Sequence, residues 1–175
     1  MGRKVNIRHI SEGDWDGIVA LEASIYIESE LSEEREALES RAHASPDTCF
    51  VLDCEQQIVG YSLALPYPTF HYPDLTRVEE TTFHSRNLHL HDLAVAESFR
   101  GRGLAKRLIR HLTATARSKT YERMSLVSVG GSDTFWSANG FEAHHEVSLP
   151  KSYGTNAVYM SKTVSLLRPD GASRW

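Results

Sequence analysis

Leu88-His89-Leu90-His91-Asp92-Leu93-Ala94-Val95-Ala96-Glu97-Ser98-Phe99-Arg100-Gly101-Arg102-Gly103-Leu104-Ala105-Lys106 restricts the fold of this chain more than any other stretch. An apolar strand runs into a turn of glycine and arginine, and a helix starts at once, with Leu104, Leu108 and Leu112 four residues apart along its core stripe. Gly101 and Gly103 let the backbone turn sharply and approach a ligand closely. The first N–H groups of a helix have no internal partners and lie at the positive end of its dipole. With Arg100, Arg102 and Lys106 they predict a site for a doubly charged phosphate group. A P-loop requires Gly-Lys-Ser/Thr, but Leu104-Ala105-Lys106 follows Gly103. A dinucleotide fingerprint requires a third small residue where Lys106 stands, and an acid ending the next strand, whereas Glu122 precedes that strand.

The rest of the 175-residue chain predicts one domain over residues 1–165 and a polar tail over 166–175. At 41% hydrophobic and 24% charged, the chain has the composition of a globular protein. The formal net charge of −4 argues against a nucleic-acid binder, and no apolar run is long enough for a membrane span. No signal peptide is recognisable at the N-terminus. Cys49 and Cys54 are five positions apart on one expected strand, so they point to opposite sheet faces and cannot readily bridge. The expected compartment is the cytoplasm. The sequence leaves the oligomeric state open, a homodimer being one expected form.

Alternation over 4–10 predicts a first strand, and Ser11 with Asp14 a capping box for a helix reaching Tyr26. A second helix is expected from Ser32 to just before Pro46, and a hairpin from strands at 48–54 and 58–65. Residues 66–87 form an irregular, aromatic-rich insertion of a length usually tied to function. Further strands are expected at 88–95, 124–129, 141–147 and 156–164. Helices are expected at 103–116 and, capped by Ser132 or Asp133, before Asn139-Gly140-Phe141. The order implies an α+β fold with a mixed central sheet.

Arg100-Gly101-Arg102-Gly103-Leu104-Ala105 resembles the pyrophosphate loop of the Gcn5-related N-acetyltransferase (GNAT) superfamily, Arg/Gln-x-x-Gly-x-Gly/Ala, at every fixed position. Phe135-Trp136-Ser137-Ala138-Asn139-Gly140-Phe141 resembles that family's Phe-Tyr-x-x-x-Gly-Phe, and His89-Leu90-His91 resembles the His-x-His of arylalkylamine N-acetyltransferases. The resemblance spans roughly residues 4–164. It implies a sheet splayed at the fourth and fifth strands with helices on both faces, and acetyl-CoA bound across the splay. Leu93, Ala94 and Val95 would hold the pantetheine and thioester carbonyl through their backbone. Residues Arg100, Gly101, Arg102, Gly103, Leu104, Ala105 and Lys106 would hold the pyrophosphate. Most family members carry Tyr where this chain has Trp136, and that Tyr protonates the departing thiolate. An indole N–H is only a donor, so Trp136 is expected to pack against the cofactor, with Tyr153, Ser128 or Ser132 as replacement acids.

The expected reaction is direct acetyl transfer to a small primary amine. Such an amine is protonated at neutral pH, so a base or water chain must remove a proton. His89 and His91, two apart on one strand, share a face and titrate near neutrality, so they are the expected bases. Asp92 faces away from them on a regular strand, unless a bulge re-aims it to act as base, orienting group or amine binder. Zinc on His-x-His would need a third ligand, His84 or His71, from a folded-back insertion, and no metal is expected. The acidic run Glu28, Glu30, Glu33, Glu34, Glu36 and Glu39 reads as a solvated face or a lure for a cationic acceptor. The basic set Arg100, Arg102, Lys106, Arg107 and Arg110 faces the anionic donor in this reading. The alternatives are a non-catalytic acyl-CoA-binding module and a protein or peptide N-acetyltransferase.

Overall fold

The computed structural model describes residues 2–26 and 31–164. Seven strands form one mixed sheet: β1 (Val5–His9), β2 (Phe50–Cys54), β3 (Gln57–Pro66), β4 (Asn87–Val95), β5 (Arg123–Ser128), β6 (Glu142–His144) and β7 (Val158–Thr163). Their order is β1-β2-β3-β4-β5-β7-β6. Every neighbouring pair is antiparallel except β4 and β5, which run parallel. Four helices connect them: α1 (Trp15–Ile25), α2 (Arg35–Ala44), α3 (Leu104–Ser118) and α4 (Asp133–Ala138).

The helices cover the two faces of the sheet with separate cores. Leu104, Leu108 and Leu112 of α3 pack on Leu52, Leu88, Leu90, Met124, Leu126 and Met160. On the other face Trp15 and Ile18 of α1 and Leu38 of α2 pack on Val51, Tyr61 and Leu63. Cys54 belongs to the first core and Cys49 to the second, and both thiols are free. The hairpin turn at Glu55 and Gln56 has positive φ at both residues (52° and 71°), the conformation that matches the twist of flanking strands.

Several boundaries differ from the sequence reading, for local reasons. At the start of α1 Asp14 does accept the Ser11 N–H (2.7 Å), and the Arg8 guanidinium grips the same carboxylate through both Nη atoms, tying the cap to β1. Helix α2 begins at Arg35 rather than Ser32 because the side chain of Glu22 takes the Ser32 hydroxyl and the Glu33 N–H (both 3.1 Å), holding that segment out of the helix. Ser132 precedes α4, but its hydroxyl donates back to the Val129 carbonyl (2.7 Å) and does not cap. Strand β6 stops at His144, where the chain turns with Val147 N–H on the His144 carbonyl (3.2 Å); Pro150 and Gly154 (φ 89°) then frame a 3-10 turn at Lys151–Tyr153. The polar tail at 166–175, with Glu28 and Glu30, lies outside the described residues.

The insertion between β3 and β4 has no helix or strand, yet it is fastened at several points. Buried Arg41 of α2 donates to the Asp74 carbonyl (2.8 Å) and pairs with Glu79, Tyr153 O–H donates to the Pro73 carbonyl, and Tyr159 O–H receives the Phe70 N–H (2.9 Å).

Leu112 is fully buried at the centre of the α3 stripe. Leu112→Ala is expected to lower the unfolding free energy by about 2–5 kcal/mol, measured by chemical denaturation.

Candidate functional site

The parallel ladder between β4 and β5 runs only from Asn87–Arg123 to Leu90–Leu126, although β4 continues to Val95. Beyond Leu90 the edge of β4 that faces β5 has no ladder partner. A cavity of about 470 Å³ opens in this gap, lined by Leu90, His91, Asp92 and Leu93 from β4 and by Leu126 and Val127 from β5. Its outer wall includes Tyr26, Glu33, Leu75, Phe135, Trp136 and Tyr153.

The β3–β4 register changes between Leu63 and Ala64: Leu63 pairs with Asp92, but Ala64 pairs with Leu90, so His91 is the extra residue of a bulge. The bulge brings His91 and Asp92 together into one buried polar cluster. His91 Nε2 lies 2.6 Å from Glu33 Oε2, and Arg41 Nη2 donates to the other Glu33 oxygen at 2.9 Å. His91 Nδ1 is buried without a hydrogen-bond partner. Asp92 accepts hydrogen bonds from Tyr61 O–H (2.7 Å) and Tyr26 O–H (3.1 Å).

Charge in this cluster follows from burial and pairing. Burial pushes the Asp92 carboxyl up to about 6, against the two phenol hydrogen bonds that favour its charged form. Burial likewise pushes Glu22 up to about 7. Burial also acts to raise Glu33, but His91 and Arg41 outweigh it and hold that carboxyl below the ordinary range. The nearby Asp92 charge, together with burial, raises the Tyr26 phenol, and burial raises Tyr153.

His89 is not brought to the cavity. It pairs in register with Ser125, inside the closed part of the sheet, with Nδ1 2.8 Å from Ser125 Oγ and its ring beside Tyr67 and Tyr159. It lines neither cavity of the site, and burial lowers it to about 3, so it is neutral at physiological pH. The shared face expected for His89 and His91 therefore does not give a shared site. Of the replacement acids, Tyr153 and Ser132 line the cavity, yet both hydroxyls donate to backbone carbonyls, at Pro73 and Val129. Ser128 is buried beside Ser132, Oγ to Oγ 3.2 Å. Among the described residues no group of three or more His, Cys, Asp or Glu is placed to hold a metal.

The loop before α3 forms a second cavity of about 230 Å³, lined by Val95, Phe99, Arg100, Gly101, Gly103, Leu104, Ala105, Lys106 and Phe135. Gly101 and Gly103 are left-handed (φ 78° and 72°), a conformation that L side chains rarely adopt, although a Cβ at either would meet nothing within 4 Å. The Arg107 N–H bonds the Gly103 carbonyl (3.0 Å), which leaves the N–H groups of 104–106 without partners inside the helix. Arg100 Nε donates to the Val95 carbonyl (3.2 Å). Arg102 lies over the Phe99 ring (4.8 Å) rather than in the cavity wall. Arg107 is turned away to the Val5 carbonyl (2.8 Å), so the basic set is not wholly on the donor side. Leu93 lines the larger cavity and Val95 the smaller, while the Ala94 side chain is buried in the core on the opposite face. Trp136 lines the larger cavity and packs edge-on against Phe135 and Phe141 (5.0 and 5.7 Å).

Phe135, shared by both cavities, and Glu33, the partner of His91, were not separable by sequence from neighbours of the same type. Glu34 and Glu36 of the same acidic run are exposed, and Glu39 pairs with exposed Arg35; Glu33 alone of these is buried. Its partner lies 58 positions away, a distance no local pattern reports.

Glu22 yields a pH prediction. Its folded-state value lies above the ordinary carboxylate range, so its protonation supports folding below about 4 and that support is lost as pH rises through about 7. Glu22→Gln keeps an acceptor but cannot ionise. The stability of this variant relative to the native chain is expected to improve from pH 5 to about pH 7 and to level off above it in urea titrations; a flat difference over pH 5–7 would contradict the assignment.

Comparison with known proteins agrees with this architecture. The loading GNATL domain of CurA from Lyngbya majuscula superposes with a TM-score of 0.77 at 17% identity, covering 92% of this chain and 98% of that one. The GphF GNAT-like decarboxylase in complex with isobutyryl-CoA superposes at 0.72 with 20% identity, covering 91% and 99%. N-acetylglutamate synthase from Neisseria gonorrhoeae, complexed with coenzyme A and N-acetyl-glutamate, superposes at 0.71 with 20% identity, over 94% of this chain and 36% of that one. At these identities the likeness is one of fold. No curated protein matches the sequence. The model of the acetyltransferase (GNAT) family, however, matches residues 15–141, most of the chain, and this protein belongs to that family.

Proposed function

We propose that this protein transfers an acetyl group from acetyl-CoA to a small primary amine by direct attack on the thioester, in a reducing, cytoplasmic setting suited to its two free thiols. The observation that carries this reading is the adjacency of the two cavities. They share Phe135, and β4 contributes Leu93 to one and Val95 to the other along its unpaired edge.

The smaller cavity suits a diphosphate. Among the described residues its wall has Arg100 and Lys106 but no carboxylate, and it opens on the amides of 104–106, which have no partner inside the helix. The β4 edge at Leu93–Val95 offers backbone groups to a pantetheine amide, and the larger cavity receives the thioester. Such a donor supplies an activated acyl group with a thiolate leaving group.

The chain's own residues then set the amine's protonation. In this reading Glu33 takes the Nε2–H of His91, and Nδ1, buried without a hydrogen-bond partner in the wall of the larger cavity, keeps its lone pair and is the base. Arg41 keeps Glu33 charged, so the imidazole stays oriented and an imidazolium is stabilised as it forms. Asp92, steadied by two phenols, offers negative charge to the incoming ammonium. The larger cavity is otherwise mostly apolar and, among the described residues, has Glu33 and Asp92 in its wall but no Lys or Arg. It therefore favours an amine lacking a carboxylate over an amino acid. A thiol of pKa about 8.5 leaves readily without a dedicated acid, consistent with Trp136 in place of Tyr.

One observation favours the alternative of a binding module: the hydroxyls of Tyr153 and Ser132 are committed to carbonyls. Following free thiol with acetyl-CoA and a panel of amines, amino acids and peptides separates the two. Turnover is expected with apolar amines; tight acetyl-CoA binding without turnover would favour the module.

His91→Ala is expected to lower kcat by about 10²–10⁴ while the Kd for acetyl-CoA stays within about twofold. An unchanged kcat would move the role to Asp92 or water. Gly103→Val forces a β-branched residue into a left-handed conformation and is expected to weaken coenzyme A binding at least about tenfold by calorimetry.

A further inference from the structure

A third cavity, of about 330 Å³, lies at the edge of the sheet away from both others. Strand β7 outruns β6 there: the β6–β7 ladder ends at Glu142–Ser161, which leaves Lys162 and Thr163 without a β6 partner. Arg117 of α3, Arg123 of β5 and Lys162 of β7 line the notch, with hydroxyls from Thr113 and Ser161 and a single acid, Glu142. Leu104, in the proposed diphosphate site, is thirteen residues from Arg117 along α3, about 20 Å of helix axis.

We propose that this notch binds the phosphoryl group of a small phosphorylated ligand. Among the described residues none of the three cations has a carboxylate within 4.0 Å, although ion pairs are common elsewhere on the chain. Their protein partners are neutral and leave donors over. Arg117 Nε donates to the Val164 carbonyl (2.8 Å), Arg123 Nη2 to Ser161 Oγ (3.1 Å) and Lys162 Nζ to Thr113 Oγ1 (3.1 Å). Arg123 Nε is buried with no hydrogen-bond partner, so part of this positive charge is desolvated and uncompensated. Burial and the neighbouring Arg117 lower Lys162, the effect an anion in the notch would reverse.

Three cations against Glu142 leave a surplus of two positive charges. That matches a dianionic phosphoryl group better than a single carboxylate. The two arginines add the directed donors that oxyanions take up. This inference is independent of the acyl-transfer reading, because neither cavity of that site shares a residue with the notch.

Inorganic phosphate is the probe, and saturating coenzyme A occupies the other phosphate-binding surface. Thermal unfolding of the full chain is measured with phosphate and with chloride at equal ionic strength. Phosphate is expected to raise Tm by roughly 2–4 °C over chloride at about tenfold excess over its Kd. Arg123→Gln with Lys162→Gln is expected to abolish that rise and leave the Kd for coenzyme A unchanged. Amide NMR of the unmutated chain makes the test independent of how the variant folds: phosphate should shift residues 140–142 and 161–163. No rise over chloride, a rise that survives the double substitution, or shifts confined to 100–106 would each overturn the proposal.

Discussion

The interrupted ladder between β4 and β5 is the constraint on which the rest of this molecule depends. Backbone N–H and C=O groups in a sheet demand partners, and stopping the parallel pairing at Leu90–Leu126 while β4 runs on to Val95 leaves a row of them facing a gap. The gap persists because both strands are anchored elsewhere. β4 stays paired with β3 along its other edge, β5 stays paired with β7, and α3 covers the closed part of the sheet with its leucine stripe. A ligand-sized cavity is thus built without weakening either core.

The second organising feature is buried charge. Arg41, Glu33 and His91 form a chain of charge-assisted contacts, each almost wholly removed from solvent, with Glu79 closing the far side of Arg41. Breaking one member would strand an uncompensated charge, so the network holds α2, the segment before it and the insertion in a single arrangement. The insertion is a wall of the site for this reason: Leu75 reaches the larger cavity because Asp74 and Glu79 are held by Arg41 and Pro73 by Tyr153. Asp92, in the wall of the larger cavity, and Glu22 lie beside this network with carboxyls raised by burial.

The comparison of sequence with structure is most instructive at β4. The strand, the glycine turn and the following helix were legible because each is a local pattern: alternation, left-handed glycines and a four-residue leucine stripe. The cavity they border was anticipated through family resemblance rather than through spacing. Spacing placed His89 and His91 on one face, yet one histidine is sealed against Ser125 and the other faces Glu33. The bulge at His91 decided this, and a bulge leaves no periodic trace in a strand of nine residues.

The chain's residues by themselves determined the class of fold, the left-handed glycine turn before α3, the opposed free cysteines and the net negative charge, because these follow from periodicity, glycine's freedom at positive φ and simple counting. Tertiary structure alone decided which glutamate of an acidic run meets His91, which phenols hold Asp92, and where three cations with no carboxylate partner among the described residues gather at the β7 edge. Those groupings join side chains tens of positions apart. Their energies come from desolvation and pairing, which exist only once the sheet and its helices have closed around them.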